Sequence, residues 1–132
     1  MKYKVLLADD HALFLDALRM VLEQEPDIDV VAQVCDGMHV LQTVLQTNPD
    51  VVCMDINMPG MNGVDATRQL IAHLPALKVI GLSGHDDAYL ESEMAAAGAQ
   101  AYVAKCRAAD EVVQVIRGML NQKTMKVSRA RN

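Results

Sequence analysis

The sequence is short of cysteine: Cys35, Cys53 and Cys106 are the only three, and none forms a CxxC pair. An odd, scattered set excludes a disulfide framework and a zinc site, and it points to a reducing compartment, the cytoplasm. No apolar run approaches the roughly 18 residues of a membrane-spanning helix. The amino-terminal run from Tyr3 to Ala8 is too short for a signal sequence and has no cleavage site behind it. Internal repeats and low-complexity segments are also missing. With 52% apolar and 22% charged residues, the composition rules out disorder and collagen. What remains is one globular domain. A chain of 132 residues has no room for a second of usual size. At this length it buries roughly two-thirds of its unfolded surface, so it needs no covalent staple.

The net charge of -5 is unevenly spread. Lys123, Lys126, Arg129 and Arg131 sit without an acid in residues 121–132, which leaves -9 on the first 120 residues. An acidic body repels phosphates and is a poor nucleic-acid binder by itself. The basic segment reads as a solvated linker.

Short β-rich runs alternate with longer helical patterns, and that alternation predicts a parallel sheet. Strands are expected at Lys4 to Asp9, Val30 to Cys35, Val51 to Asp55, Lys78 to Ser83 and Ala101 to Lys105. Each is nearly continuous in apolar residues, as burial on both faces requires. Phe14, Leu18, Val21 and Leu22 mark a first helix with Pro26 just beyond it. Val40, Leu41, Val44 and Leu45 mark a second, stopped by Asn48-Pro49. A third carries Thr67, Leu70, Ile71 and Leu74. A fourth carries Leu90, Met94 and Ala97 before Gly98, and a fifth Val112, Val113, Ile116, Met119 and Leu120. Right-handed crossovers wrap five such strands and five helices into a doubly wound α/β sandwich, whose site lies beyond the carboxyl ends of the strands.

The polar residues of interest all fall at those ends: Asp9-Asp10, Asp55, Ser83-Gly84 and Lys105. Taken singly, each has an ordinary explanation: Asp10 caps a helix, Ser83 ends a strand, Lys105 faces water. Taken together they share one crevice, where three carboxylates repel one another and demand positive charge. Lys105 supplies one charge and a hard divalent cation the rest. Oxygen-only ligation favours Mg²⁺ over Zn²⁺, with His11 beside the pair a weaker ligand candidate. The first strand-to-helix turn, Ala8-Asp9-Asp10-His11, has no glycine and two anions, so it is no phosphate cradle. Phosphate enters only through metal. Asp55 is then the natural nucleophile toward phosphorus, with Asp9 and Asp10 holding the metal and Lys105 neutralising oxygens. Cys53 and Met54 are expected in the core.

Asp9-Asp10, the stretch Met54-Asp55-Ile56-Asn57-Met58-Pro59-Gly60-Met61-Asn62-Gly63, then Leu82-Ser83-Gly84-His85-Asp86 and Gly98 to Lys105 together resemble the receiver domain of bacterial two-component response regulators. The resemblance covers residues 3 to about 120, and its wording is similar to the NarL/LuxR branch. It implies a flavodoxin-like sheet with strand order 2-1-3-4-5. Asp55 is implied to accept a phosphoryl group from a histidine kinase. Mg²⁺ would be held by Asp9, Asp10, Asp55 and the backbone carbonyl of Asn57, and the phosphoryl oxygens by Ser83 and Lys105. Ser83 and Tyr102 would form a conformational switch, leading to a homodimer on phosphorylation. Asn57 and His85 flank the line of attack as tuners of the phosphorylated lifetime. Residues 1–120 are expected to form the receiver. Residues 121–132 are expected to be a basic linker toward a helix-turn-helix output domain absent from this chain, through which DNA would be bound. Cys106 stands where many receivers have proline, and the sequence leaves the geometry of the Lys105-Cys106 peptide open.

Two rival readings make different demands. An aspartate-nucleophile phosphatase of the haloacid dehalogenase type wants a second aspartate two residues after the first, where this chain has Asn57, and a substrate-selecting cap. A pseudo-receiver wants an incomplete acidic site, yet Asp9, Asp10, Asp55, Ser83 and Lys105 are all present. The reading is therefore a signalling domain, not an enzyme, with at most self-phosphorylation and self-dephosphorylation.

Overall fold

A computed structural model describes residues 2–84 and 88–130, with side chains as far as residue 120. Strands β1 (Tyr3–Ala8), β2 (Ile28–Val34), β3 (Val51–Asp55), β4 (Lys78–Ser83) and β5 (Ala101–Ala104) alternate with helices α1 (Ala12–Glu23), α2 (Val40–Thr47), α3 (Gly63–His73), α4 (Ala88–Ala97) and α5 (Ala108–Ala130). Single turns of 3₁₀ helix at Gly37–His39 and Lys105–Arg107 lead into α2 and α5. All pairings are parallel and the order is β2-β1-β3-β4-β5, as the doubly wound expectation required.

Alternation along the central strands splits the core in two. Val5, Leu7, Val51 and Cys53 point to the face covered by α1 and α5, and meet Leu15, Leu18, Leu22, Val112 and Ile116. Leu6, Ala8, Val52 and Met54 point the other way and meet Val40, Val44, Ala66, Leu70 and Met94. Burial on both faces is why these strands read as unbroken apolar runs. Truncating one of the fully buried leucines, Leu6 or Leu22, to alanine would cost about 2–5 kcal/mol. Cys53 lies in this core as expected, and burial pushes its thiol up to about 12.

The helix ends follow local chemistry. Asn48 ends α2 in the left-handed region (φ 51°), with its N–H on the Val44 carbonyl. Asn62 caps α3 by accepting from the Asp65 N–H at 2.9 Å. Gly98 leaves α4 at φ 119°, and the Ala99 N–H donates to the Met94 carbonyl. On two helices the apolar stripes are rotated from the sequence reading. Leu15 is buried on α1 while Phe14 stands at the edge of the stripe, and Leu45 on α2 is 60% exposed. Among the described residues there is no cis peptide bond, so the Lys105-Cys106 peptide is trans. No helix of the described residues is long and apolar enough to cross a membrane.

Candidate functional site

Three strand ends meet at the carboxyl edge of the sheet. The Asp9 N–H donates to the Val34 carbonyl (3.0 Å), which fixes the chain as it leaves β1. Beyond it, Asp9 turns back on itself: Oδ1 accepts from the His11 N–H at 2.8 Å and lies 2.9 Å from His11 Nδ1. At the end of β3, the Ile56 N–H reaches the Leu82 carbonyl of β4 (3.1 Å) and the Gly63 N–H reaches the Ile56 carbonyl (2.7 Å). Glycine is required at position 63 because a Cβ there would stand 2.1 Å from the Asp55 carbonyl oxygen. The close approach lets the first turn of α3 lie against the end of β3 and hold Asp55.

Asp9 and Asp55 are both buried, and Lys105 bridges them. Its Nζ stands 2.7 Å from Asp9 Oδ2 and 3.3 Å from Asp55 Oδ2, with the side chain only 14% exposed. The same ammonium lies 3.0 Å from His11 Nδ1 and 5.0 Å from the centroid of the Phe14 ring. Asp10 is more exposed, its Oδ1 3.3 Å from His11 Nδ1. Asn57 donates its backbone N–H to Asp55 Oδ1 at 3.2 Å. His11, Phe14, Asp55, Asn57, Gly84 and Lys105 line an open crevice of about 370 Å³.

The two buried carboxylates are pushed in opposite directions. Burial works against ionisation of Asp9, but Lys105 and the His11 amide more than offset it, so its carboxyl sits below the ordinary range. Asp55 is raised to about 6, first by burial and then by the negative charge of Asp9, against a smaller pull from Lys105 and the Asn57 amide. Two anions thus share one cation, and positive charge is in deficit.

A hard metal ion fits that deficit. Asp9, Asp10, His11 and Asp55 each offer a ligand atom within 4.8 Å of the others. Oδ2 of Asp9 and Oδ2 of Asp55 are buried, and among the described residues neither receives a hydrogen bond of good geometry, only the ion pair with Lys105. Unsatisfied buried carboxylate oxygens suit an oxygen-seeking divalent cation such as Mg²⁺.

Of the remaining sequence candidates, Ser83 and Tyr102 lie on β4 and β5. Ser83 is buried at the end of β4, opposite Ala104. Tyr102 pairs with Gly81 two residues behind, its ring close to that glycine, and its hydroxyl is buried without a hydrogen-bond partner among the described residues. His85 lies outside the described residues. The sequence reading placed Phe14 only on the face of a helix and gave His11 a minor part. Both line the crevice and touch Lys105, a relation that spacing does not reveal because it closes between β1 and β5.

A doubly wound parallel sheet that gathers two buried aspartates, a third acid and a lysine at its carboxyl edge is the layout expected of a receiver-type signalling domain. The sequence profile of the response regulator receiver domain matches residues 5–130, and the chain belongs to that family. It is 40% identical over 116 residues to the transcriptional regulatory protein DegU of Brevibacillus brevis, an alignment covering 88% of this chain and 49% of that protein. To the transcriptional regulatory protein LiaR of Bacillus subtilis it is 36% identical over 114 residues, covering 86% of this chain and 54% of the relative. The crystal structure of a LuxR-family two-component response regulator from an Aurantimonas species superimposes with a TM-score of 0.87. That match has 30% identity and covers 92% of this chain and 87% of that one. The resemblance to the NarL/LuxR branch is thus borne out. The chain spans about half the length of these two curated relatives.

Proposed function

We propose that this receiver accepts a phosphoryl group on Asp55 from a histidine kinase and passes the signal on by changing its surface. The observation that carries the reading is the Lys105 ammonium held between the buried carboxylate oxygens Asp9 Oδ2 and Asp55 Oδ2 on the floor of the open crevice. One oxygen of Asp55 attacks phosphorus. The bond from phosphorus to the donor nitrogen breaks with its electron pair going to the imidazole, and the new bond is an acyl phosphate. Lys105 is within reach of the oxygens that gain charge, and Ser83 at the next strand end contributes its hydroxyl.

Asp9, Asp10, Asp55 and the backbone carbonyl of Asn57 would hold Mg²⁺, which when bound supplies the charge that three carboxylates and an incoming phosphoryl group require. Asn57 lines the crevice beside Asp55, a position from which it meters water, and His85, outside the described residues, is the second residue to which tuning of the phosphorylated lifetime is ascribed. Ser83 and Tyr102 form the switch: phosphorylation redistributes two conformers and remodels the face formed by β4, β5 and their helices. In the whole protein the outcome is a homodimer and control of a DNA-binding output domain in the cytoplasm. The receiver is assigned to residues 1–120, and the segment 121–132, through most of which α5 continues, leads toward that domain. The family's transcriptional regulators support signalling over turnover, so an external phosphate ester should be hydrolysed hardly at all.

The test is direct labelling. Incubation with acetyl phosphate and Mg²⁺ should add one phosphoryl mass to the parent chain and none to Asp55→Asn. An Asp55→Asn chain that labels as well as the parent contradicts the assignment.

A further inference from the structure

We propose that Phe14 is a positioning residue for Lys105, its ring face keeping the ammonium in the crevice when a divalent cation takes the carboxylates. The inference rests on the phosphoacceptor reading of Asp55 and deepens it. Lys105 Nζ has partners on two sides. On the inner side are Asp9 Oδ2 at 2.7 Å and Asp55 Oδ2 at 3.3 Å. These are the same two oxygens that, among the described residues, receive only this ion pair and suit a metal ion. A divalent cation on them competes with the ammonium and repels it.

What then holds Lys105 is the outer side, His11 Nδ1 at 3.0 Å and the Phe14 ring at 5.0 Å from its centroid. His11 is a divided partner. Its Nδ1 also lies 2.9 Å from Asp9 Oδ1 and 3.3 Å from Asp10 Oδ1, and one ring nitrogen cannot both donate to a carboxylate and accept from an ammonium. The Phe14 ring has no such conflict. It carries no proton to exchange and no atom that binds Mg²⁺, yet its face attracts a cation at this distance. Leu15, Leu18 and Leu22 lock α1 into the core, and that fixes Phe14 at the rim instead of within the stripe. Phe14 packs against the core and presents its ring to the wall of the crevice beside the Lys105 ammonium.

Phe14 is the single phenylalanine of the chain. Biosynthetic incorporation of mono-, di- and trifluorophenylalanine therefore alters position 14 alone, and each fluorine weakens the negative face with little change in size. Two readouts decide. The ¹⁹F resonance of the monofluoro protein should move when Lys105→Gln is introduced, and it should still report Lys105 with Mg²⁺ saturating. The initial rate of Asp55 labelling by acetyl phosphate should fall stepwise along the series, by about two- to fivefold in all, at unchanged Mg²⁺ affinity and melting temperature. Phe14→Leu should match the trifluoro protein and Phe14→Tyr the parent. Equal rates across the fluorinated series, or a ¹⁹F line indifferent to Lys105→Gln, overturn the proposal. If the unsubstituted protein fails to label at Asp55, the phosphoacceptor reading fails, while the ¹⁹F response still decides whether the ring holds Lys105.

Discussion

The Lys105 ammonium lies 2.7 Å from Asp9 Oδ2, joining the end of the first strand to the end of the fifth across the carboxyl edge of the sheet. Asp55 of β3 sits between them and shares the same cation at 3.3 Å. Several consequences can be measured.

Asp55 is ionised at neutral pH at a place that favours its protonated form, because burial and Asp9 raise it to about 6 from 3.8. The native state therefore binds this proton more tightly than the unfolded chain does. The contribution of Asp55 to stability falls as pH rises from about 4 to about 6, and the cost is complete above that window. In metal-free solution at pH 7, Asp55→Asn should be more stable than the parent by up to about 3 kcal/mol, and the gap should close toward pH 4. Urea melts of both chains at the two pH values check the sign.

Metal should remove the same strain. The unfolded chain has no formed site, so Mg²⁺ should raise the melting temperature with concentration, by about 2.7 kcal/mol of stability at 100 times its dissociation constant. Asp10→Asn should weaken that shift. An unchanged shift would place the metal elsewhere.

How much of this was legible in the sequence differs from element to element. β3 and β4 match their expected bounds because strands buried on both faces leave an unbroken apolar run bounded by polar residues. β2 begins two residues early, at Ile28, where Asp29 interrupts the apolar run and hid the start. Asp9, Asp55 and Lys105 were readable because parallel topology sends every strand end to one edge. Phe14 and His11 were less so. A helical stripe identifies the face that packs, not the residue at its margin, and only folding brings β5 near enough for Lys105 to touch α1.

Gly63 is a structural support for Asp55. A methyl group there would meet the Asp55 carbonyl oxygen at 2.1 Å and Ile56 Cα at 2.7 Å, so backbone must move. Gly63→Ala should destabilise by about 1–3 kcal/mol and slow Asp55 labelling beyond the loss of folded protein. Denaturation curves and labelling rates normalised to native fraction separate the two effects.

Activation should change association. Tyr102 carries a buried hydroxyl without a partner among the described residues, which makes its position sensitive to any rearrangement of β4 and β5. Sedimentation with a beryllofluoride mimic of the phosphoryl group should show a modest rise in dimer fraction, together with shifted amide signals around Tyr102. Identical profiles and spectra would refute the switch.

The central claim is that Asp55 becomes an acyl phosphate, and borohydride tests it most directly because it reduces an aspartyl phosphate to homoserine. After exposure to acetyl phosphate and Mg²⁺, reduction and peptide mapping should find homoserine at position 55 and aspartate at positions 9 and 10. Homoserine at either of those positions, or unmodified Asp55 in a labelled chain, would contradict the account.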